Sequence, residues 1–173
     1  IYATRDAGDT WVQLRSPTRH LLLGGMFVDD DRGWLVGAGA TIIQTSDGGD
    51  TWYQSQLPQV EKTVRFTATS FIDNRNGWAV GSGGSVYSTV NGGRTWERQD
   101  STVNVDLFDV KFVDALEGWA VGAEGTIIHT ADGGEHWTSE RSGTPHQLER
   151  LFFAGKNRGW AVGFGGTVVA YLR

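Results

Sequence analysis

Apolar residues along this chain come in short bursts separated by polar, glycine-rich turns. The stretch Leu107-Phe108-Asp109-Val110-Lys111-Phe112-Val113 alternates loosely and predicts a strand. Residues 114–117 are polar and predict a turn. Residues 118–123, Gly-Trp-Ala-Val-Gly-Ala, are apolar on both faces, as expected of a strand covered on both sides. Glu124-Gly125 suits a two-residue hairpin turn. Residues 126–130 predict a third strand, 131–135 a turn and 136–141 a fourth strand. Nowhere is a 3.6-residue apolar period sustained, so no helix is predicted.

The same pattern returns along the chain. Gly-Trp-(Leu/Ala)-Val-Gly starts at Gly33, Gly77, Gly118 and Gly159, at intervals of 44, 41 and 41 residues. A second motif alternates with it: Thr45-Ser46-Asp47-Gly48-Gly49-Asp50-Thr51-Trp52, repeated at 89–96, 130–137 and, at the front, 4–11. A fixed period in the low forties means one supersecondary unit stacked on copies of itself. Four short antiparallel strands per unit make a propeller blade. The expected fold is therefore an all-β propeller, one domain over residues 1–173. Its repeats run at about 1–15, 16–57, 58–101, 102–142 and 143–173.

The strand count does not close neatly. Residues 1–15 supply the end of a third strand and a fourth strand, and residues 148–173 supply only strands one to three. Residues 1–4 and 168–171 correspond to the same strand, so closure within one chain duplicates it. A section of a six- to eight-bladed ring is expected, or a homo-oligomer in which two copies exchange the Trp11 strand to complete a ring. The chain starts and stops inside a repeat and reads as a mature or partial chain.

The second motif is an Asp-box. The side chain of Asp6, Asp47 or Asp132 is expected to accept hydrogen bonds from N–H groups of its own turn. Trp11, Trp52, Trp96 and Trp137 anchor the strand that follows. Asn91 stands in the second box, which keeps an acceptor and loses the charge. That substitution fits a turn brace better than a catalytic acid.

Composition narrows the functional classes. The net charge of −5 argues against a nucleic-acid partner. No apolar run is long enough to span a membrane. The absence of cysteine excludes disulfides, thiol chemistry and cysteine-bound zinc.

The Gly-Trp-Ala-Val-Gly strand, the two-residue turn and the Gly-Thr-Ile-Ile-x-Thr-x-Asp-Gly-Gly-x-x-Trp run resemble the photosystem II assembly and stability factor family. The resemblance extends through all four repeats. It implies an Asp-box propeller outside the cytoplasm, in the periplasm, thylakoid lumen or secreted, and peripheral to a membrane. It also implies a non-enzymatic scaffold, without cofactor, that binds a membrane-protein complex through an arginine-rich patch.

Arg32, Arg75 and Arg158 all precede the Gly-Trp strand, so propeller geometry puts them on one rim. With Lys111 and Arg150 they are the candidate partner-binding residues. The alternatives are a secreted carbohydrate-binding or carbohydrate-cleaving propeller and a structural repeat of a larger surface protein. Sialidases also carry Asp-boxes, but Tyr2, Tyr53, Tyr87 and Tyr171 have no obvious glutamate partner. A two-carboxylate glycosidase would have to use Asp109, with Glu149 a weaker choice. Asp109 is better read as packed or paired beside Lys111 and Arg150. Asp29-Asp30-Asp31 lacks the spacing and terminal glutamate of a calcium loop. His20, His129, His136 and His146 show no metal spacing, so no metal is expected. The loops joining blades, 15–21, 55–64, 99–106 and 140–147, vary while the strands repeat, as binding surfaces commonly do.

Overall fold

The computed structural model describes residues 1–57 and 63–173; five residues of the 55–64 loop lie outside the described residues. The chain is a row of antiparallel meanders. An N-terminal arm pairs β1 (Tyr2–Ala3) with β2 (Val12–Gln13). Blade 1 follows as β3 (Leu22–Phe27), β4 (Gly33–Gly37), β5 (Thr41–Thr45) and β6 (Tyr53–Gln54). Blade 2 is β7 (Phe66–Phe71), β8 (Gly77–Gly81), β9 (Val86–Thr89) and β10 (Glu97–Gln99). Blade 3 is β11 (Leu107–Phe112), β12 (Gly118–Gly122), β13 (Ile127–Thr130) and β14 (Thr138–Glu140). Blade 4 has three strands, β15 (Leu148–Phe153), β16 (Arg158–Gly163) and β17 (Val168–Leu172). Within each blade the strands pair in sequence order, and the first strands of successive blades pack side by side.

Short connections force this order. Glu124 and Gly125 both take positive φ (56° and 69°), and Thr126 N–H bonds Ala123 C=O at 3.0 Å. That geometry matches the right-handed twist of the flanking strands. Single 3-10 turns at Ser82–Gly84, Ala123–Gly125 and Phe164–Gly166 are the only helical turns among the described residues.

The core lies between blades rather than within them. Trp34 stacks on Phe71 of the next blade at 3.5 Å, and Trp78 on Phe112 at 3.4 Å. Such pairs add about 0.5–1.5 kcal/mol to their area burial. The leading glycine of each Gly-Trp strand makes room for that phenylalanine. A Cβ on Gly118 would fall 2.5 Å from the Phe112 ring.

The two ends of each blade differ. At one end, the turn between first and second strands meets the Asp-box: Gly48, Gly92 and Gly133 N–H bond Asp31, Arg75 and Leu116 C=O at 2.8–2.9 Å. At the other, each hairpin turn meets the loop into the next blade, as in Gly84 N–H to Val105 C=O at 2.7 Å.

Candidate functional site: an arginine cleft between blades 1 and 2

Each box is closed by its own side chains. Thr45 donates its hydroxyl to Asp47 Oδ1 at 2.8 Å and accepts from Gly49 N–H at 2.9 Å. Asp47 Oδ1 also accepts from Thr51 N–H at 2.9 Å, and Oδ2 from the Thr51 hydroxyl. Asp6 and Asp132 repeat the arrangement, with His136 in place of threonine in the third box. These donors favour the ionised form. Asp6, helped first by the Thr10 hydroxyl, and Asp132, helped first by the His136 N–H, are lowered to about 2. Asn91 keeps the brace without charge, accepting from Thr95 N–H at 3.1 Å and donating to the Thr95 hydroxyl at 2.7 Å.

The box tryptophans close over the first strand. Trp52, Trp96 and Trp137 meet Phe27, Phe71 and Phe112 edge-on at 6.1, 5.7 and 5.8 Å. The strand tryptophans reach across to the next box: Trp34 Nε1–H donates to Gly92 C=O at 2.9 Å, and Trp78 Nε1–H to Gly133 C=O at 2.8 Å. Every acceptor oxygen of these box acids is thus turned inward to hold a turn.

A cleft of about 500 Å³ opens between blades 1 and 2 at the Asp-box end. Arg32, Arg75 and Arg94 line it together with Tyr53, Asn74 and Asn91, over a floor of Trp34 and Gln44. None of its lining residues is acidic. Among the described residues no carboxylate lies within ion-pairing distance of these three arginines, and all three are exposed. Three arginines on the turns of adjoining blades, lining one cleft, suit a carboxylate-bearing ligand.

The cationic character comes from one altered box. Boxes 1 and 3 read Asp47-Gly48-Gly49-Asp50 and Asp132-Gly133-Gly134-Glu135; box 2 reads Asn91-Gly92-Gly93-Arg94. The formal charge of that turn changes from −2 to +1. Arg94 was not among the residues nominated from sequence, yet its replacement of an acid at a repeated position was visible there.

The structure brings Arg32 and Arg75 together and leaves the other candidates elsewhere. Arg158 opens β16 in blade 4, two blades away from Arg75. Lys111 and Arg150 sit on the first strands of blades 3 and 4, beside Asp109. Asp109 clamps those strands, accepting from Val110 N–H at 2.9 Å and Leu151 N–H at 2.8 Å. Burial raises its pKa, against those two hydrogen bonds and the nearby cations. Both oxygens being engaged, it is poorly placed to act on a substrate. Glu149 accepts from Gln147.

Tyr87 is buried, Tyr2 and Tyr53 are exposed, and Tyr171 lies against Trp119. Asp29 caps its own turn, accepting from Asp31 and Arg32 N–H at 3.0 and 2.7 Å. His129 stacks on Trp119 at 4.5 Å, and His146 meets Thr167 at 2.9 Å. Asp132, Glu135 and His136 place potential metal donors within 4.8 Å of one another on the exposed third box. No helix among the described residues is long and apolar enough to cross a membrane.

Blades of four antiparallel strands, locked by Asp-boxes and joined by tryptophan stacks, define an Asp-box β-propeller. Two overlapping matches, over residues 3–102 and 99–172, fit the model of the photosynthesis system II assembly factor YCF48. The chain belongs to that family. No curated protein sequence matches it. Among solved structures, it resembles YCF48 bound to D1 peptide at 28% identity and a TM-score of 0.76, over 93% of this chain. The chain spans 52% of the length of that structure. The computationally designed Ika4 protein aligns at 15% identity and a TM-score of 0.74, over 92% of this chain and 95% of that one. An ancestral GH74 enzyme aligns at 12% identity and a TM-score of 0.70, over 87% of this chain and 22% of that one. The last two likenesses concern the fold alone.

Proposed function

We propose that this chain is a non-enzymatic protein-binding scaffold that holds an acidic segment of a photosystem II assembly intermediate. The observation that carries the reading is the cleft lined by Arg32, Arg75 and Arg94, cationic in a chain of net charge −5. Its walls are two blades joined by the Trp34–Phe71 stack, so the three guanidinium groups are presented without reordering the backbone. Membership of the YCF48 family and the likeness to a YCF48 structure bound to D1 peptide support photosystem II as the partner. The same reading places the protein outside the cytoplasm, against the membrane that carries its partner.

The test is fluorescence anisotropy with labelled D1 peptides, run on the wild-type chain and an Arg32→Ala/Arg75→Ala/Arg94→Ala variant. Acidic D1 peptides should bind the wild type, weaken as salt rises and be lost to the variant. Affinity capture from detergent-solubilised photosynthetic membranes should recover photosystem II components with the wild type only. Equal binding by wild type and variant would refute the cleft, and no binding of any D1 peptide or membrane component would refute the scaffold.

A further inference from the structure

The Asp-boxes are one turn filled with different side chains, and the third is filled with metal-ligand atoms. In the box at 4–11 and in boxes 1 and 2, the side chain of the box acid or amide meets a threonine hydroxyl, that of Thr10, Thr51 or Thr95. In box 3 it meets the imidazole of His136 instead. The residue just before is Asp9, Asp50, Arg94 or Glu135. Box 3 therefore exchanges a hydroxyl for a ring nitrogen and carries an acid one methylene longer beside it. Along the chain the spacing Asp-x-x-Glu-His matches no histidine metal motif; the closed turn brings the three side chains together.

Ligand atoms of Asp132, Glu135 and His136 lie within 4.8 Å of one another, and His136 Nδ1 stands 2.8 Å from Asp132 Oδ2. Neighbouring ligands of a tetrahedral zinc ion stand roughly 3.4 Å apart, given metal–ligand distances of about 2.0–2.2 Å. The nitrogen and oxygen need to separate by only about 0.6 Å to admit one. The brace of the turn survives that step. Asp132 Oδ1 keeps the Thr130 hydroxyl at 2.8 Å and the His136 N–H at 2.9 Å, while Oδ2 faces the His136 ring. The ring holds its proton on Nε2, and the Nδ1 lone pair and Oδ2 both turn to the ion. The backbone beneath is fixed by Gly133 N–H on Leu116 C=O at 2.9 Å and by the buried Trp137. Glu135 and His136 are exposed, so both side chains can turn to share an ion without moving it.

We propose that box 3 binds a divalent transition cation of the zinc class, held by Asp132 Oδ2, a Glu135 carboxylate oxygen and His136 Nδ1, with water in the fourth position. The charges fit: two carboxylates and a neutral imidazole sum to −2, which one such ion neutralises. The other boxes meet this need differently. Asp50 of box 1 pairs with Arg5, and box 2 carries Arg94 at that place. Among the described residues no lysine or arginine pairs with Asp132 or Glu135. The imidazole sets the selectivity. Calcium takes more oxygen ligands than three side chains on one turn supply, magnesium demands an octahedron of oxygens, and a mixed nitrogen and oxygen set suits zinc. The site lies on blade 3, away from the cleft between blades 1 and 2, and does not depend on what the arginines bind.

The test is calorimetric titration of the untagged 173-residue chain with zinc chloride in a non-chelating buffer, beside His136→Thr and Glu135→Gln. One zinc ion per chain is expected. His136→Thr restores the threonine of the other boxes and so keeps the turn, and Glu135→Gln alters an exposed side chain; urea denaturation should find both as stable as the wild type. Each should weaken zinc binding at least about tenfold. Calcium chloride should give no comparable binding. Nitrogen NMR of the imidazoles should show His136 shifting on zinc addition, with His20, His129 and His146 unmoved. Equal zinc affinity in the wild type and His136→Thr would overturn the proposal, as would zinc held at another histidine, calcium bound as tightly as zinc, or no zinc bound at millimolar concentration.

Discussion

If the altered second box makes the cleft cationic, giving it the acids of the other boxes should weaken ligand binding strongly and leave the fold intact. The perturbation is Asn91→Asp/Arg94→Glu, which gives box 2 the charge pattern of boxes 1 and 3. The structure already shows that aspartate fits this turn, since Asp47 and Asp132 accept from the N–H four residues on at 2.9 Å, as Asn91 does from Thr95 at 3.1 Å. Stability should therefore change by no more than about 0.5 kcal/mol. Removing one positive charge and adding two negative ones takes the formal charge of the arginine cluster from +3 to 0. A ligand carboxylate about 4 Å from one such charge gains roughly 1–4 kcal/mol, depending on how wet the cleft stays. Even the lower figure, applied to the loss of Arg94 alone, gives about a fivefold loss in affinity. With the two added acids, at least about tenfold is expected. The assay is peptide anisotropy at low and high salt beside urea denaturation. Unchanged affinity with an intact fold would refute the electrostatic account of the cleft.

Other consequences concern the joints and turns. Gly118→Ala should destabilise by about 1–3 kcal/mol in urea denaturation, because Phe112 is held between Trp78 and Trp137 and cannot yield. Trp78→Phe removes the shorter of two hydrogen bonds to Gly133 C=O, leaving that of Gln99 Nε2–H at 3.3 Å, and opens space beside Phe112, and about 1–3 kcal/mol of lost stability is expected. Asp109→Ala leaves the Val110 and Leu151 N–H groups unpaired and should cost about 2–4 kcal/mol by the same measurement; an unchanged midpoint would contradict its role as a clamp. The box aspartates have folded pKa values below the ordinary 3.8, so their contribution is complete above about pH 4 and is lost as pH falls towards about 2. Asp132→Asn should accordingly flatten that part of an acid-denaturation curve while the fold persists, as the Asn91 box does naturally.

The repeat pattern by itself determines much of this protein. Strand order, turn positions and the pairing of each Asp-box with its tryptophan follow from local periodicity and turn chemistry, which act over a few residues. The stacking of Gly-Trp strands between blades was also legible, because a strand apolar on both faces must be covered on both. The third repeat shows how far this reached: strands predicted at 107–113, 118–123 and 126–130 lie at Leu107–Phe112, Gly118–Gly122 and Ile127–Thr130.

Which charges share a cleft was not legible in that way. Arg32 and Arg75 occupy equivalent places in successive repeats, and so does Arg158 in its own. Only packing shows that the first two face one another across a single interblade gap and that Arg94 enters from the box between them. Asp109 looks like a candidate acid along the chain and becomes a backbone clamp only when β15 is laid beside β11. The burial of the Trp119 Nε1–H, without a partner among the described residues, also emerges only in the assembled arc. Periodicity specifies each blade from within; contacts between blades join residues about 40 positions apart and depend on where the repeats depart from one another.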